Sequence, residues 1–151
     1  MDGKGRSSIR PSYLSTINYT YQQLYIIMCQ INSKPLPQSE YIGYRVYDAT
    51  VPGILTSFYS DKMLDHSIGV TRIAANKNMP FHMFATESDL RMWLSYIQWF
   101  LDAIDHKLRI FEAKFEGDLQ IGEWSDNIQI NTVTGLYCTL LKDVTECFTT
   151  T

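Results

Sequence analysis

The fold is decided by residues 79–117, which read MPFHMFATESDLRMWLSYIQWFLDAIDHKLRIFEAKFEG. This stretch predicts a strand, a capped helix over 86–106 and a second strand in direct succession. Thr86 and Asp89 fit a helix N-terminus, where a hydroxyl accepts a free backbone N–H and an acidic residue follows three positions later. The remaining elements are predicted around this unit.

The predicted helix is apolar over an unusually wide arc. Its apolar residues are Leu90, Met92, Trp93, Leu94, Tyr96, Ile97, Trp99, Phe100, Leu101, Ala103 and Ile104. At about 100° per residue these positions span roughly 220°, about twice what a surface helix needs. Two interpretations follow. A sheet and another helix of the same chain cover the arc, or the side with Met92, Tyr96 and Trp99 binds a partner, because these residue types are enriched at interface cores.

Composition limits the class of protein. The chain has 151 residues, 45% apolar and 19% charged, which predicts one globular domain with a hydrophobic core. A net charge of −3 argues against a surface that binds nucleic acid throughout. Cys29, Cys138 and Cys147 follow no pairing pattern, so reduced thiols and a cytoplasmic location are expected. The polar N-terminus predicts no signal peptide.

The N-terminal part of the chain divides into two segments. Residues 1–12 are rich in glycine and serine and mildly basic, which predicts a flexible tail or, alternatively, an arm that orders on a neighbouring subunit or an anionic surface such as nucleic acid. A helix is predicted over 13–32 from an apolar stripe at helical spacing. The stripe consists of Leu14, Ile17, Tyr21, Leu24, Met28 and Ile31. The globular domain is expected to cover 13–151.

Most of the remaining chain predicts strands. The predicted strands are 41–48, 54–59, 69–74, 79–84, 108–115, a short one at 119–121, and one or two within 128–141. A helical turn or loop is expected at 61–66, a loop at 124–127, and a last strand or helical turn at 144–148. Strands that flank two helices with short turns predict an α+β fold, with a mainly antiparallel sheet packed against the long central helix and the N-terminal helix.

Catalytic and metal signatures are not evident in the sequence. His66, His82 and His106 are isolated, and no His or Cys pair has ligand spacing, so neither a metal nor a cofactor is expected. Phosphate-binding glycine loops and a G-x-S-x-G nucleophile turn are absent from the sequence. Glu112 and Glu116 would share one face of a strand but sit about 13 Å apart, too far for a retaining glycosidase pair.

Three segments resemble a pattern found in small uncharacterised domains from bacteriophage and large-virus genomes. They are GYRVYD at 43–48, PFHMF at 80–84 and IFEAKFEG at 110–117. These domains show a GYKV(F/Y) strand, a GFH(F/V) strand leading into a helix, and a VFEVEA-type strand. Pro80 stands where the family usually has glycine, and Lys114 where it often has an acid.

The resemblance implies a distant similarity to ADP-ribosyltransferase-like folds. In those folds an arginine or histidine on an early strand holds a nicotinamide dinucleotide, and a later glutamate orients its ribose. Carried over to this chain, the resemblance implies Arg45 as the early-strand residue, Glu112 or Glu116 as the glutamate, and His82 nearby.

The sequence as a whole favours a non-enzymatic interaction or structural protein, of viral or phage origin, that associates through the aromatic face of the 86–106 helix. Met92, Tyr96 and Trp99 are the expected interface residues, and a second copy or another protein is the expected partner. A membrane span is not expected, since charged residues interrupt the helix. Two alternatives stay open: a nucleotide-binding ADP-ribosyltransferase-like enzyme, and a small inhibitor or immunity-type protein whose mild acidity suits a basic target.

Overall fold

A computed structural model describes residues 30–57, 62–64, 68–103, 107–125 and 128–149. The predicted tail and residues 13–29 of the predicted N-terminal helix lie outside these residues. The strands are β1 (Ile31–Pro35), β2 (Glu40–Asp48), β3 (Ile54–Ser57), β4 (Lys62–Leu64), β5 (Thr71–Ile73), β6 (Phe81–Phe84), β7 (Leu108–Glu116), β8 (Gln120–Ser125), β9 (Ile128–Gly135) and β10 (Tyr137–Asp143). The helices are α1 (Glu87–Ala103) and α2 (Thr145–Thr149).

All ten strands belong to one antiparallel sheet. Its order is β1-β8-β9-β6-β2-β7-β10-β5, and β3 and β4 extend it as a hairpin from β2. The longest pairing joins β2 to β7, with Glu40 opposite Glu116 at one end and Asp48 opposite Leu108 at the other. These strands are rich in aromatic and β-branched residues, which favour extended backbone.

The sheet is strongly curved. Gly135, at the end of β9, packs against Phe115 of β7, although β6 and β2 lie between those strands in the sheet order. A Cβ atom at Gly135 would lie 3.1 Å from the Cβ of Phe115, so glycine permits this close approach. The curvature gives the sheet an enclosed inner face and an outer face.

Each face carries its own hydrophobic core. The inner core contains Tyr47, Leu55, Phe81, Met83, Ala85, Phe111, Ala113, Phe115, Leu119, Val133, Cys138 and Leu140. The outer core lies beneath α1 and contains Val46, Phe84, Leu90, Trp93, Ile97, Ile110, Trp124 and Ile130. Successive residues of a strand point to opposite faces, so β7 supplies Ile110 to the outer core and Phe111 to the inner one.

The predicted start of α1 is confirmed. The Asp89 backbone N–H donates to Thr86 Oγ1 at 3.1 Å, and the Thr86 backbone N–H donates back to Asp89 Oδ2 at 3.1 Å. This is the reciprocal capping box that the sequence predicts. Asp89 is buried, and its second oxygen accepts the Asn131 N–H of β9 at 2.8 Å, so the cap also anchors the helix to the sheet.

The expected fold class is wrong. The chain is mostly β: strands dominate the described residues, and α1 lies on the outer face of the sheet as a 17-residue helix instead of forming the centre of an α+β fold. The physical reason is the curvature of the sheet. Because its inner-face aromatic residues pack against one another, the sheet forms a second core without any helix.

Several predicted boundaries also change. Ile31 and Asn32, the last residues of the predicted N-terminal helix, lie in β1, and Asn32 has a φ of 54°. Trp124 lies in β8 and not in a loop. Residues 62–64 form β4 where a helical turn or loop was expected, and the ambiguous segment at 144–148 is a short helix. The predicted strands at 41–48 and 108–115 are confirmed as β2 and β7.

Candidate functional site

One side of α1 is left exposed by the described part of the chain. Leu90, Trp93 and Ile97 are buried against the outer face of the sheet. Met92 and Tyr96 point away from it and are 43% and 46% exposed. They lie four residues apart and therefore one above the other on the helix. We call the surface formed by these two side chains the outer flank of α1. The side chain of Trp99, the third predicted interface residue, lies outside the described residues.

Another side of α1 contacts α2 through Arg91. The Arg91 guanidinium lies 4.6 Å from the centre of the Phe148 ring, and its Nη2 donates to the Cys147 carbonyl at 3.0 Å. Its Nε donates to Glu87 at 2.9 Å, a pair spaced one helical turn apart. The Arg91 side chain is still 50% exposed, so α2 contacts this side of the helix without burying it.

Asp143 holds α2 in place. One of its oxygens accepts the Thr145 backbone N–H at 2.9 Å, and the other accepts Arg109 Nε at 2.8 Å. Burial by itself would raise the pKa of Asp143, but hydrogen bonds from Thr145 and the positive charge of Arg109 outweigh it and hold the pKa below 3.8. The ionised carboxylate is thus the form that the folded protein prefers.

This lowered pKa predicts a pH-dependent contribution to stability. The unfolded carboxyl titrates near 3.8 and the folded one below it, so ionised Asp143 stabilises the protein above that pH and loses its effect as the pH falls through the folded pKa. We expect Asp143→Asn to cost about 1 kcal/mol at neutral pH, a value typical of a cap and a partly exposed ion pair.

Urea unfolding of wild type and Asp143→Asn over a pH series measures this difference. The difference in free energy of unfolding between the two proteins should be constant above about pH 5 and shrink below about pH 4. Glu146→Gln, a substitution at an exposed acid of α2, is the control and should show a smaller difference at every pH. A difference in free energy of unfolding that persists unchanged to about pH 2 would contradict the stabilising role of the ionised Asp143 carboxylate.

Trp124 borders the outer flank. Its ring lies 5.9 Å from the ring of Tyr96, and the side chain is buried. Its indole N–H is buried and has no acceptor among the residues that the structure describes. Buried donors in folded proteins nearly always have a partner, so this indole N–H is an unusual feature of the surface beside Tyr96. Trp124 was not among the predicted site residues. The period-two pattern of β8, in which Gly122 and Trp124 share a face, is the signal that could have placed it.

The residues of the enzymatic alternative are divided between the two faces of the sheet. Arg45 points into the inner core and is 2% exposed. Its Nε donates to the His82 carbonyl at 2.9 Å, and its Nη1 donates to the Tyr47 hydroxyl. Its guanidinium lies 5.1 Å from the centre of the Phe81 ring. These contacts make Arg45 part of the packing of the inner core.

Glu112 and the His82 side chain lie on the other face. Glu112 pairs with Tyr44, the neighbour of Arg45 on β2, and successive strand residues point to opposite sides. The pairing places the two side chains side by side, and burial, with the negative charge of Glu112 added, raises the pKa of Tyr44. His82 follows Phe81 of the inner core, and its ring Nδ1 lies 3.2 Å from the Pro80 carbonyl oxygen. The structure therefore does not bring Arg45 and Glu112 to one site. Glu116 shares the face of Glu112.

Within the described residues, no group of three or more His, Cys, Asp or Glu side chains is placed to hold a metal ion. His66 and His106 lie outside the described residues. No helix in the described part of the chain is both long and apolar enough to cross a membrane.

Comparisons with known proteins gave no match for this chain, whether against protein-family models, curated proteins or solved structures. The resemblance to phage and large-virus domains therefore stays a prediction. The outer flank of α1 with Trp124 is the candidate functional site.

Proposed function

We propose that this protein is a non-enzymatic interaction or structural protein that associates with a second copy of itself through the outer flank of α1. The observation that carries the proposal is the exposure of Met92 and Tyr96, two neighbouring apolar side chains on a helix whose inner side is buried against the sheet. Flexible methionine and amphipathic tyrosine are typical of the centres of protein interfaces.

A second copy fits this surface for a geometric reason. Most soluble oligomers are symmetric dimers, in which the same patch on both subunits meets itself. A twofold axis through the outer flank would place α1 against its copy, so each contact away from the axis would occur twice. The capping carboxylate of Asp89 ties this helix to β9, so the flank is held on a fixed support before association.

We further propose a reducing, cytoplasmic environment for the protein. The sequence supports this location, since Cys29, Cys138 and Cys147 follow no pairing pattern. Cys29 lies outside the described residues.

Replacing both flank residues with acids, as Met92→Glu together with Tyr96→Glu, is expected to dissociate the dimer. The substitution places four like charges in one contact and removes its apolar centre. We expect a loss of at least about 2 kcal/mol of association free energy, equivalent to a rise of roughly 30-fold in Kd. Native mass spectrometry and sedimentation over a concentration series measure the change.

Ile73→Glu supplies the control. Ile73 is an apolar residue on the edge strand β5 and is 70% exposed, more than either flank residue. The same charge placed there should leave the dimer intact if the flank is the interface. A wild-type protein that is monomeric at every concentration would refute self-association. If Ile73→Glu dissociates the dimer as strongly as the double substitution does, the interface does not lie specifically at α1.

A further inference from the structure

The two ends of the main strand order differ in character. The order runs from β1 to β5, and each of these strands pairs with one neighbour among the described strands. β1 carries Lys34 and Pro35 and has an irregular register against β8, and such features protect a sheet edge from pairing with another chain. β5 contains neither lysine nor proline. Its last residue, Ile73, is 70% exposed, more than any other large apolar side chain of the described residues.

The backbone of β5 turns a donor and an acceptor away from the sheet at Ile73. The Ala74 N–H donates to the Leu136 carbonyl at 2.8 Å, so the backbone groups of Ala74 face the β10 side. Backbone groups of an antiparallel strand alternate in direction from one residue to the next. The N–H and C=O of Ile73 therefore point to the open side of β5, where an added strand could bond to both.

β5 is held in place before any second strand arrives. The hydroxyls of Thr71 and Thr139, which lie opposite each other on β5 and β10, are 2.7 Å apart. Arg72 faces the inner core, with its guanidinium 5.8 Å from the centre of the Phe81 ring. The side chains of Thr71 and Ile73 consequently lie on the outer face. An edge that is already ordered loses little conformational entropy when it pairs.

The side chains of β5 determine the register that a second copy can take. A twofold axis at Ile73 lets the two Ile73 residues exchange both backbone hydrogen bonds and brings their side chains together. Tyr137, which lies opposite Ile73 on β10 and is 39% exposed, extends this apolar contact. An axis at Arg72 would set two like charges opposite each other, which is destabilising. An axis at Thr71 would place Ile73 opposite Gly69, whose φ of 86° is not that of a strand.

This edge and the outer flank of α1 are separate surfaces. α1 lies over the outer core, whose sheet residues come from β2, β6, β7, β8 and β9. β5 lies two strands beyond β7 in the sheet order, at a distance of about 10 Å. One subunit can therefore use both surfaces at the same time.

We infer that β5 is a second self-association surface, to which another copy of the chain adds its own β5 as an antiparallel strand about a twofold axis at Ile73. The inference rests on the proposed function, because it joins dimers formed through the outer flank into larger assemblies. Two self-complementary surfaces on one subunit generate a closed assembly when their axes intersect at a suitable angle, and an open chain otherwise.

The edge contact is small, since β5 has 3 residues. We therefore expect it to be weaker than the flank contact, with a Kd on the order of 0.1–1 mM. Dilute protein then consists of flank dimers, and larger assemblies form as the concentration rises.

Amide hydrogen exchange followed by NMR tests the pairing at the residue on which it depends. The Ile73 amide should exchange about two- to fivefold more slowly at about 1 mM protein than at about 20 μM, because pairing protects its outward N–H. The Ala74 amide is the internal reference. It already donates within the fold and should exchange slowly at both concentrations.

Two variants of Ile73 remove the pairing in different ways. Ile73→Pro deletes the outward N–H, and Ile73→Lys places a charge on the edge. Both should abolish assemblies larger than a dimer in sedimentation at about 1 mM, with the flank dimer unchanged. Ile42→Lys is the matched control, since Ile42 is 48% exposed but lies on the central strand β2. Larger assemblies that survive both Ile73 variants, or that Ile42→Lys abolishes equally, would overturn the inference.

The flank variant Met92→Glu with Tyr96→Glu separates this inference from the proposed function. If both are correct, this variant is monomeric when dilute and forms dimers at high concentration, and adding Ile73→Lys abolishes those dimers. A wild type that stays dimeric, with an Ile73 amide that exchanges equally fast at every concentration, would overturn the inference and leave the flank dimer standing. A flank variant that associates as the wild type does, with Ile73 protection that rises with concentration, would refute the flank dimer and support the edge.

Discussion

Replacing Arg45 with alanine is expected to lower the free energy of unfolding by about 3–5 kcal/mol, because it opens a cavity in the inner core and removes buried hydrogen bonds. The guanidinium donates to the His82 carbonyl and the Tyr47 hydroxyl. It also lies 5.1 Å and 5.9 Å from the ring centres of Phe81 and Phe115. The alanine variant keeps none of these contacts.

Urea and thermal unfolding of Arg45→Ala measure this loss, which corresponds to a fall in Tm on the order of 10 °C. Arg45→Met is the informative control, since methionine fills most of the same volume and should recover part of the stability. A stable Arg45→Ala variant that had lost binding of a nicotinamide dinucleotide shown by the wild type would contradict a purely structural role. It would favour the enzymatic alternative.

Replacing Asp89 with alanine should cost about 3 kcal/mol. The buried carboxylate accepts the backbone N–H groups of Thr86 and Asn131 and the Thr86 hydroxyl. Its loss removes a helix cap, typically worth about 1 kcal/mol, and leaves a backbone donor of β9 without its acceptor, which costs about 1–3 kcal/mol more. The substitution should therefore lower the local stability of both the first turn of α1 and the adjoining part of β9.

Amide hydrogen exchange can show this coupled effect. In Asp89→Ala the amides of the first turn of α1 and of Asn131 should exchange faster, alongside a lower urea midpoint. Glu87→Ala provides the comparison, since Glu87 forms an exposed ion pair with Arg91, worth about 0.5 kcal/mol or less. Equal losses in the two variants would show that Asp89 acts only through its charge near the helix end.

The candidate site was only partly predictable. Met92 and Tyr96 were predicted as interface residues from the width of the apolar arc, and the structure places both side chains at the surface. Whether they bind a partner stays a prediction. Trp124 was assigned to a loop, so the buried indole beside Tyr96 was not foreseen. A single tryptophan between a glycine and a polar run does not reveal which helix it will contact.

The sequence by itself determined the local elements whose signals lie within a few residues of one another. The capping box of Thr86 and Asp89 is readable because its partners lie three residues apart, and β2 and β7 are readable because their aromatic and β-branched residues favour extended backbone. Only the tertiary structure decided the fold class. Strand patterns do not specify which strands become neighbours or how far a sheet curves, since both depend on contacts between distant residues such as Gly135 and Phe115. The register of β2 against β7 pairs Glu112 with Tyr44, so Arg45 and Glu112 point to opposite faces, which no spacing along the chain could reveal.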